Sequence, residues 1–277
     1  MAQIYVGTSS WSDHKGFYPT GLPSNQRISY YAQHFPIVEI NSTYYRMMPR
    51  RNFELWAERT PEGFLFDVKP FKQITWHDRA KPPDEEITAA FRQSLQPLRD
   101  AGKLGAVHFQ FPPWFSYAEK TVDYIKRLGE SFADDRISVE FRHRSWLEGP
   151  HVPVLLATLR DEGISLTVVD EPQVGSGSVP TLLEVTNPAL VILRLHGRNE
   201  RMWYARVRTT AERFNYLYSQ EELAEWVPRV GKLAEASGET HILFNNNAED
   251  YAVQNASQLQ LMLRDSLAGD TVVAATS

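Results

Sequence analysis

The feature that most limits what this chain can fold into is a rhythm. Eight short β-rich runs punctuate the 277 residues, and stretches with helical spacing separate most of them. The runs fall at residues 4–8, 37–41, 64–69, 106–110, 137–142, 166–170, 191–196 and 242–245. Between them, Ile87, Phe91, Leu95 and Leu98 keep a helical period that Gly102 should stop. Leu155, Leu156 and Leu159 do the same ahead of Gly163, and Ala252, Ala256, Leu259 and Leu263 mark a last helix. Ser116 to Glu119 and Ser219 to Glu222 read as capping boxes, and Pro228 should kink the helix after the second. A strand-then-helix unit used eight times predicts an α/β chain closed into a single (β/α)8 TIM barrel, because right-handed crossovers put every helix outside. A doubly wound open sheet is the alternative, but Gly7-Thr8-Ser9-Ser10-Trp11 is not the G-x-G-x-x-G fingerprint that would support it.

Two segments break the rhythm. Residues 172–188 are rich in Gly, Ser and Pro, so an irregular segment is expected after strand six. Residues 196–218 lack an apolar period and should form a long loop after strand seven. The barrel domain is expected over 1–268, with a flexible tail at 269–277.

Alternation along the runs sorts the side chains onto two faces. Glu39 and Asn41 share one face of strand two, Asp67 and Lys69 of strand three, His108 and Gln110 of strand four. Ser138, Glu140 and Arg142 follow on strand five and Arg194 and His196 on strand seven, while Asn245 ends strand eight. The face toward the helices must be apolar, so this polar set points into the barrel and toward the C-terminal ends of the strands, where barrels of this kind carry their sites. Isolated charges there would cost several kcal/mol each, so Glu39, Asp67 and Glu140 should pair with Lys69, Arg142 and Arg194. Two readings fit: a self-neutralised structural network, and a site kept polar for chemistry.

Composition narrows the chemistry. There is no cysteine, which excludes disulfides, thiolate nucleophiles and cysteine-bound metals. The net charge of −5 runs against phosphate-driven nucleic-acid binding unless a local basic patch supplies it. Such a patch is offered by Arg198, Arg201, Arg206, Arg208 and Arg213. No apolar run is long enough for a membrane span, and the first residues lack the basic and apolar parts of a secretory signal, so a cytoplasmic location is expected. Neither a nucleotide-cofactor motif nor a metal motif such as H-E-x-x-H is present, and Lys69, Arg142 and Arg194 would repel a dication, so a catalytic metal is disfavoured.

These residues follow one another in an ordered set of motifs. They run from Gly7-Thr8-Ser9-Ser10-Trp11 and Phe17-Tyr18-Pro19 through Val38-Glu39-Ile40-Asn41-Ser42-Thr43-Tyr44-Tyr45 and Val68-Lys69 to Gln110-Phe111-Pro112-Pro113. Val139-Glu140-Phe141-Arg142-His143, Ser145-Trp146, Arg194-Leu195-His196-Gly197-Arg198 and Phe244-Asn245-Asn246 complete it. The set resembles the YecE-like family, domain of unknown function 72, over almost the whole chain. The resemblance implies a (β/α)8 barrel and brings no established reaction. Ser10, where a Gly is common, and Asn247 depart from the pattern.

The leading expectation is an enzyme, of hydrolase, lyase or isomerase type, acting on a small anionic, phosphate-bearing substrate at the barrel mouth. Glu39 and Glu140 are the acid/base candidates. Lys69 is a third catalytic candidate, with an imine-forming role ranked low because Asp67 should hold it protonated. Asn41, Gln110, Arg142, Arg194, His196, Arg198 and Asn245 are the substrate-binding candidates, with Trp11 and Trp146 in an aromatic wall. The alternatives are a nucleic-acid-binding or nuclease-like protein using the arginine-rich loop, and a non-catalytic ligand-binding barrel.

Overall fold

A computed structural model describes residues 2–205, 210–267 and 271–275. The strands are β1 (Gln3–Thr8), β2 (Ile37–Ile40), β3 (Leu65–Val68), β4 (Leu104–Gln110), β5 (Ile137–Glu140), β6 (Ser165–Leu166), β7 (Val168–Asp170), β8 (Leu190–Leu195) and β9 (Glu239–Phe244). All pair in parallel, in the order β6-β5-β4-β3-β2-β1-β9-β8-β7. The two ends of this sheet are halves of one strand, separated by Thr167 alone. β6 pairs with β5 and β7 with β8, so the sheet curls round until its ends meet and the barrel has eight staves. The sixth run is thus divided where one uninterrupted strand was expected.

The outward residues form one continuous core with the helices. Val38, Ile40, Phe66, Val68, Phe109, Val139, Leu193 and Phe244 meet Phe91, Leu98, Ile125, Leu159, Trp226 and Leu259 in it. Inside the barrel, Ile37, Leu65, Ala106, Leu190, Ile192 and Leu243 form a smaller apolar plug with Tyr5 at the N-terminal end. Parallel strands bury both faces, so the polar inward residues beyond that plug need hydrogen-bond and ion-pair partners within the barrel. The staves approach closely at Gly7, where a Cβ would lie 2.0 Å from the Ile37 carbonyl oxygen.

Local signals held in most helices and shifted in one. Ser219 caps the helix Gln220–Glu235, its hydroxyl accepting from the Glu222 N–H while the Glu222 carboxylate accepts from the Ser219 N–H. Pro228 lies inside that helix. Gly102 and Gly163 adopt φ of 64° beyond the helices Gln96–Asp100 and Val152–Asp161, as stop signals should. The box expected at Ser116 moves two residues on: the helix starts at Glu119, and the Thr121 hydroxyl accepts from the Ala118 N–H. The long loop after the seventh stave carries two short helices, Glu200–Trp203 and Thr210–Arg213. Among the described residues no helix lies between β7 and β8. Part of the expected tail is laid on the barrel: Val272 is buried and bridges Ile4, and the Val273 N–H donates to the Ile4 carbonyl. Residues 269–270 and 276–277 lie outside the described residues, as do Arg206 and Arg208 of the basic loop.

Candidate functional site

The inward polar residues divide into two levels. Near the N-terminal end, His241 lies between Asp67 (2.9 Å) and Glu239 (3.2 Å). Gly105 leaves the room for this, since a Cβ there would sit 2.5 Å from Asp67 Oδ1. Burial pushes the His241 pKa down, but the Asp67 charge and the hydrogen bonds that the ring donates to both carboxylates raise it overall. Asp67 therefore serves His241 and not Lys69, contrary to the pairing expected from their shared face.

Closer to the mouth, Glu140 is the hub. Its Oε2 accepts from Arg194 Nη1 at 2.6 Å. Its Oε1 accepts from Gln110 Nε2 (2.6 Å), His196 Nε2 (3.1 Å) and Arg142 Nη1 (3.2 Å). His108 Nε2 stands 3.3 Å from Oε2 without hydrogen-bond alignment, while its Nδ1 meets Ser138 Oγ at 2.8 Å. Burial pushes the Glu140 carboxyl up, but Arg194, His196 and these donors outweigh it and hold it well below the usual range. Wholly buried and held ionised by these donors, Glu140 serves in this network as the counter-charge to Arg194 and Arg142.

Arg194 extends the network from Glu140 to Glu39, whose Oε1 accepts from Nη2 at 2.7 Å. The other Glu39 oxygen is buried and has no hydrogen-bond partner among the described residues. Arg194 is itself 1% exposed and ties the two carboxylates together. His196 accepts from Asn245 Nδ2 at Nδ1 (3.0 Å), which leaves Nε2–H to donate to Glu140. Burial and the Arg142 charge keep this imidazole neutral, with its pKa lowered to about 3 despite Glu140.

Above this layer opens a cleft of about 810 Å³. Asn41, Lys69, Gln110, Arg142 and Asn245 reach it from the expected set. Tyr44, His77, Trp114 and Phe214 wall it, and Asp13, Lys15, Arg213, Glu249 and Asp250 stand among its other lining groups. Lys69 Nζ donates to Gln110 Oε1 at 2.7 Å and lies 5.1 Å from the centre of the Tyr44 ring. Burial and the Arg194 and Arg142 charges pull its ammonium down to about 8, against Glu39 and Glu140. Arg142 is fixed by Glu171 (2.7 Å) and Glu140, and its guanidinium lies 4.8 Å over the Trp203 ring. Burial and Lys69 hold His77 neutral, at about 3.

Besides Arg194 and His196 in the buried layer, three expected ligand contacts lie off the cleft lining. Arg198 is engaged by Asp170 (3.0 Å), Glu222 (3.2 Å) and Glu225 (3.4 Å), away from the cleft. Trp146 is fully buried, stacked on Phe141 and donating to the Phe115 carbonyl. Trp11 packs edge-on against Trp56. Sequence reasoning missed Glu171, one residue past the sixth run, where Asp170-Glu171-Pro172 was the available signal. It is 2% exposed, and burial raises it to about 7 against the pull of Arg142. His77 was also missed, because nothing periodic places loop side chains. Among the described residues no three His, Asp or Glu side chains converge as a metal-ligand set, and no helix is long and apolar enough to cross a membrane. Glu140 and His196 do meet, but Asp170 turns to Arg198 and Glu39 to Arg194.

This geometry has relatives. Residues 5–275 match the family described as protein of unknown function DUF72. The chain belongs to the DUF72 family. UPF0759 protein YunF of Bacillus subtilis is 37% identical over 266 residues, 94% of each chain. UPF0759 protein YecE of Escherichia coli is 27% identical over 170 residues, 60% of this chain and 59% of that one. Among solved structures, a DUF72 protein of Thermotoga maritima is 36% identical with a TM-score of 0.83, covering 95% of this chain and 99% of its own. One from Enterococcus faecalis is 32% identical with a TM-score of 0.86, covering 95% and 96%. Family and barrel agree with the resemblance read from the motifs, and the DUF72 description assigns no reaction.

Proposed function

We propose that this DUF72 protein is an enzyme that binds a small anionic, phosphate-bearing substrate in the cleft at the C-terminal mouth. One observation carries the reading: the floor of the cleft holds two buried cations, Lys69 and Arg142, ringed by the amides of Asn41, Gln110 and Asn245. Arg142 is pre-positioned by Glu140 and Glu171, so its remaining N–H groups meet an anion without reordering. Proton transfer falls to Lys69, whose pKa near neutrality fits a general acid or base. Glu39 and Glu140, both wholly buried, support the cations from behind.

The test is titration of inorganic phosphate and of phosphorylated sugars into the protein by calorimetry. Removing a hydrogen bond to a charged group costs about 1.5–3 kcal/mol, so Arg142→Ala should weaken phosphate binding roughly 10- to 150-fold. No phosphate binding to the wild type, or equal binding to Arg142→Ala, would remove the proposal. The nucleic-acid reading has less support, because Arg198 is neutralised by three carboxylates and acidic side chains line the cleft alongside Arg213. It predicts duplex or single-strand binding that falls steeply with salt.

A further inference from the structure

Lys69 differs from the arginines of the buried network in its partner. Arg142, Arg194 and Arg198 each make an ion pair with a carboxylate. Lys69 makes no ion pair among the described residues; its one hydrogen bond goes to the neutral Gln110 amide oxygen, which Glu140 fixes through Gln110 Nε2. An ammonium kept for structure would sit against Glu39 or Glu140, and here Arg194 occupies both. What remains is an amine on the floor of an open cleft, beside the Tyr44 ring, on a rigid strand end. We infer that Lys69 is a nucleophile that forms an imine with a carbonyl group of the substrate, so that the site takes phosphate-bearing aldehydes or ketones.

The inference rests on the anion-site reading above, with Arg142 holding the anion and Lys69 the reacting carbon. The step balances without a further reactant. The Nζ lone pair adds to the carbonyl carbon, the carbonyl π electrons move to oxygen, and the oxygen takes up a proton. The carbinolamine then loses its hydroxyl as water, with a second proton taken up, and nitrogen loses one, leaving a protonated imine on Nζ. The groups that act on the amine from surrounding elements are Glu39, Glu140, Arg142, Arg194 and His77. Burial and the two arginines favour the neutral, attacking form.

The test is borohydride reduction in the presence of dihydroxyacetone phosphate or glycolaldehyde phosphate, with the modified peptide mapped by mass spectrometry. The expected result is a reduced adduct on Lys69 in preference to exposed lysines such as Lys120, suppressed by excess inorganic phosphate and lost in Lys69→Arg. Lys69→Arg should keep the wild-type circular dichroism spectrum and melting transition, which shows that its barrel is folded. The labelling rate should rise with pH about a midpoint near 8. Phosphate binding without an adduct on Lys69, or labelling spread evenly over surface lysines, overturns the imine and leaves the anion site standing. Failure of phosphate to bind the wild type overturns both.

Discussion

Replacing Arg194 by Met should be the most damaging single change at the barrel centre. The side chain is 1% exposed and holds Glu39 at 2.7 Å and Glu140 at 2.6 Å. Met fills much of the volume but supplies no charge. Glu140 keeps Arg142, Gln110 and His196, whereas Glu39 has no other hydrogen-bond partner among the described residues. Glu39 must then stay charged and unpaired in a dry interior or take up a proton. Breaking a buried pair from one side costs about 3–5 kcal/mol. At roughly 2–4 °C per kcal/mol for a chain approaching this size, the melting temperature should fall by about 6–20 °C. The assay is thermal and urea unfolding followed by circular dichroism, on a double-mutant cycle with Glu39→Gln. Because the two side chains are in direct contact, their effects should be non-additive by about 0.5–3 kcal/mol, with Glu39→Gln recovering part of the loss in the Arg194→Met background. A loss under about 1 kcal/mol, or strict additivity, would refute the view of this network as a mutually dependent unit.

Three further outcomes are expected. Trp146→Ala should lower stability by about 3–5 kcal/mol, because a fully buried indole stacked on Phe141 leaves a large void; Trp146→Phe should retain wild-type phosphate affinity, and a marked loss there would restore Trp146 to the ligand site. The raised His241 pKa contributes stability that is complete below the unfolded value of 6.5 and disappears as pH climbs through the folded value, whereas Glu239, lowered to about 2 against an ordinary 4.5, contributes stability above 4.5 that disappears as pH falls toward 2; urea midpoints should therefore decline in both directions, and an unchanged alkaline slope in His241→Gln would contradict this. Ser219→Ala removes a cap whose hydroxyl serves the Glu222 N–H and should cost about 1 kcal/mol by urea unfolding, with phosphate affinity unaltered.

Much of the barrel was legible before any coordinates because a strand has a strict period of two. Glu39, Lys69, Gln110, Glu140, Arg142, Arg194 and His196 were each assigned inward from alternation alone, and the network or the cleft contains every one. The period says nothing about height along the axis or about loops. Asp67 and Lys69 share a face, yet one serves His241 and the other opens on the cleft. Glu171 lies past the strand end, and Tyr44 and His77 on connections, so their place at the mouth had no periodic signal.

The chain alone determined the eight-stave barrel, the apolar outer layer and the identity of the inward polar residues, because backbone geometry and the cost of burying charge act on neighbours in sequence. Only the tertiary structure decided which acid met which base. Arg194 and Glu39 are 155 positions apart, and their contact depends on how the staves are staggered on closure. That choice sets Glu140 against two arginines and leaves Lys69, among the described residues, without an ion-pairing carboxylate. Burial among unlike neighbours, a property of the closed barrel, then separates a fixed counter-charge from a titratable amine.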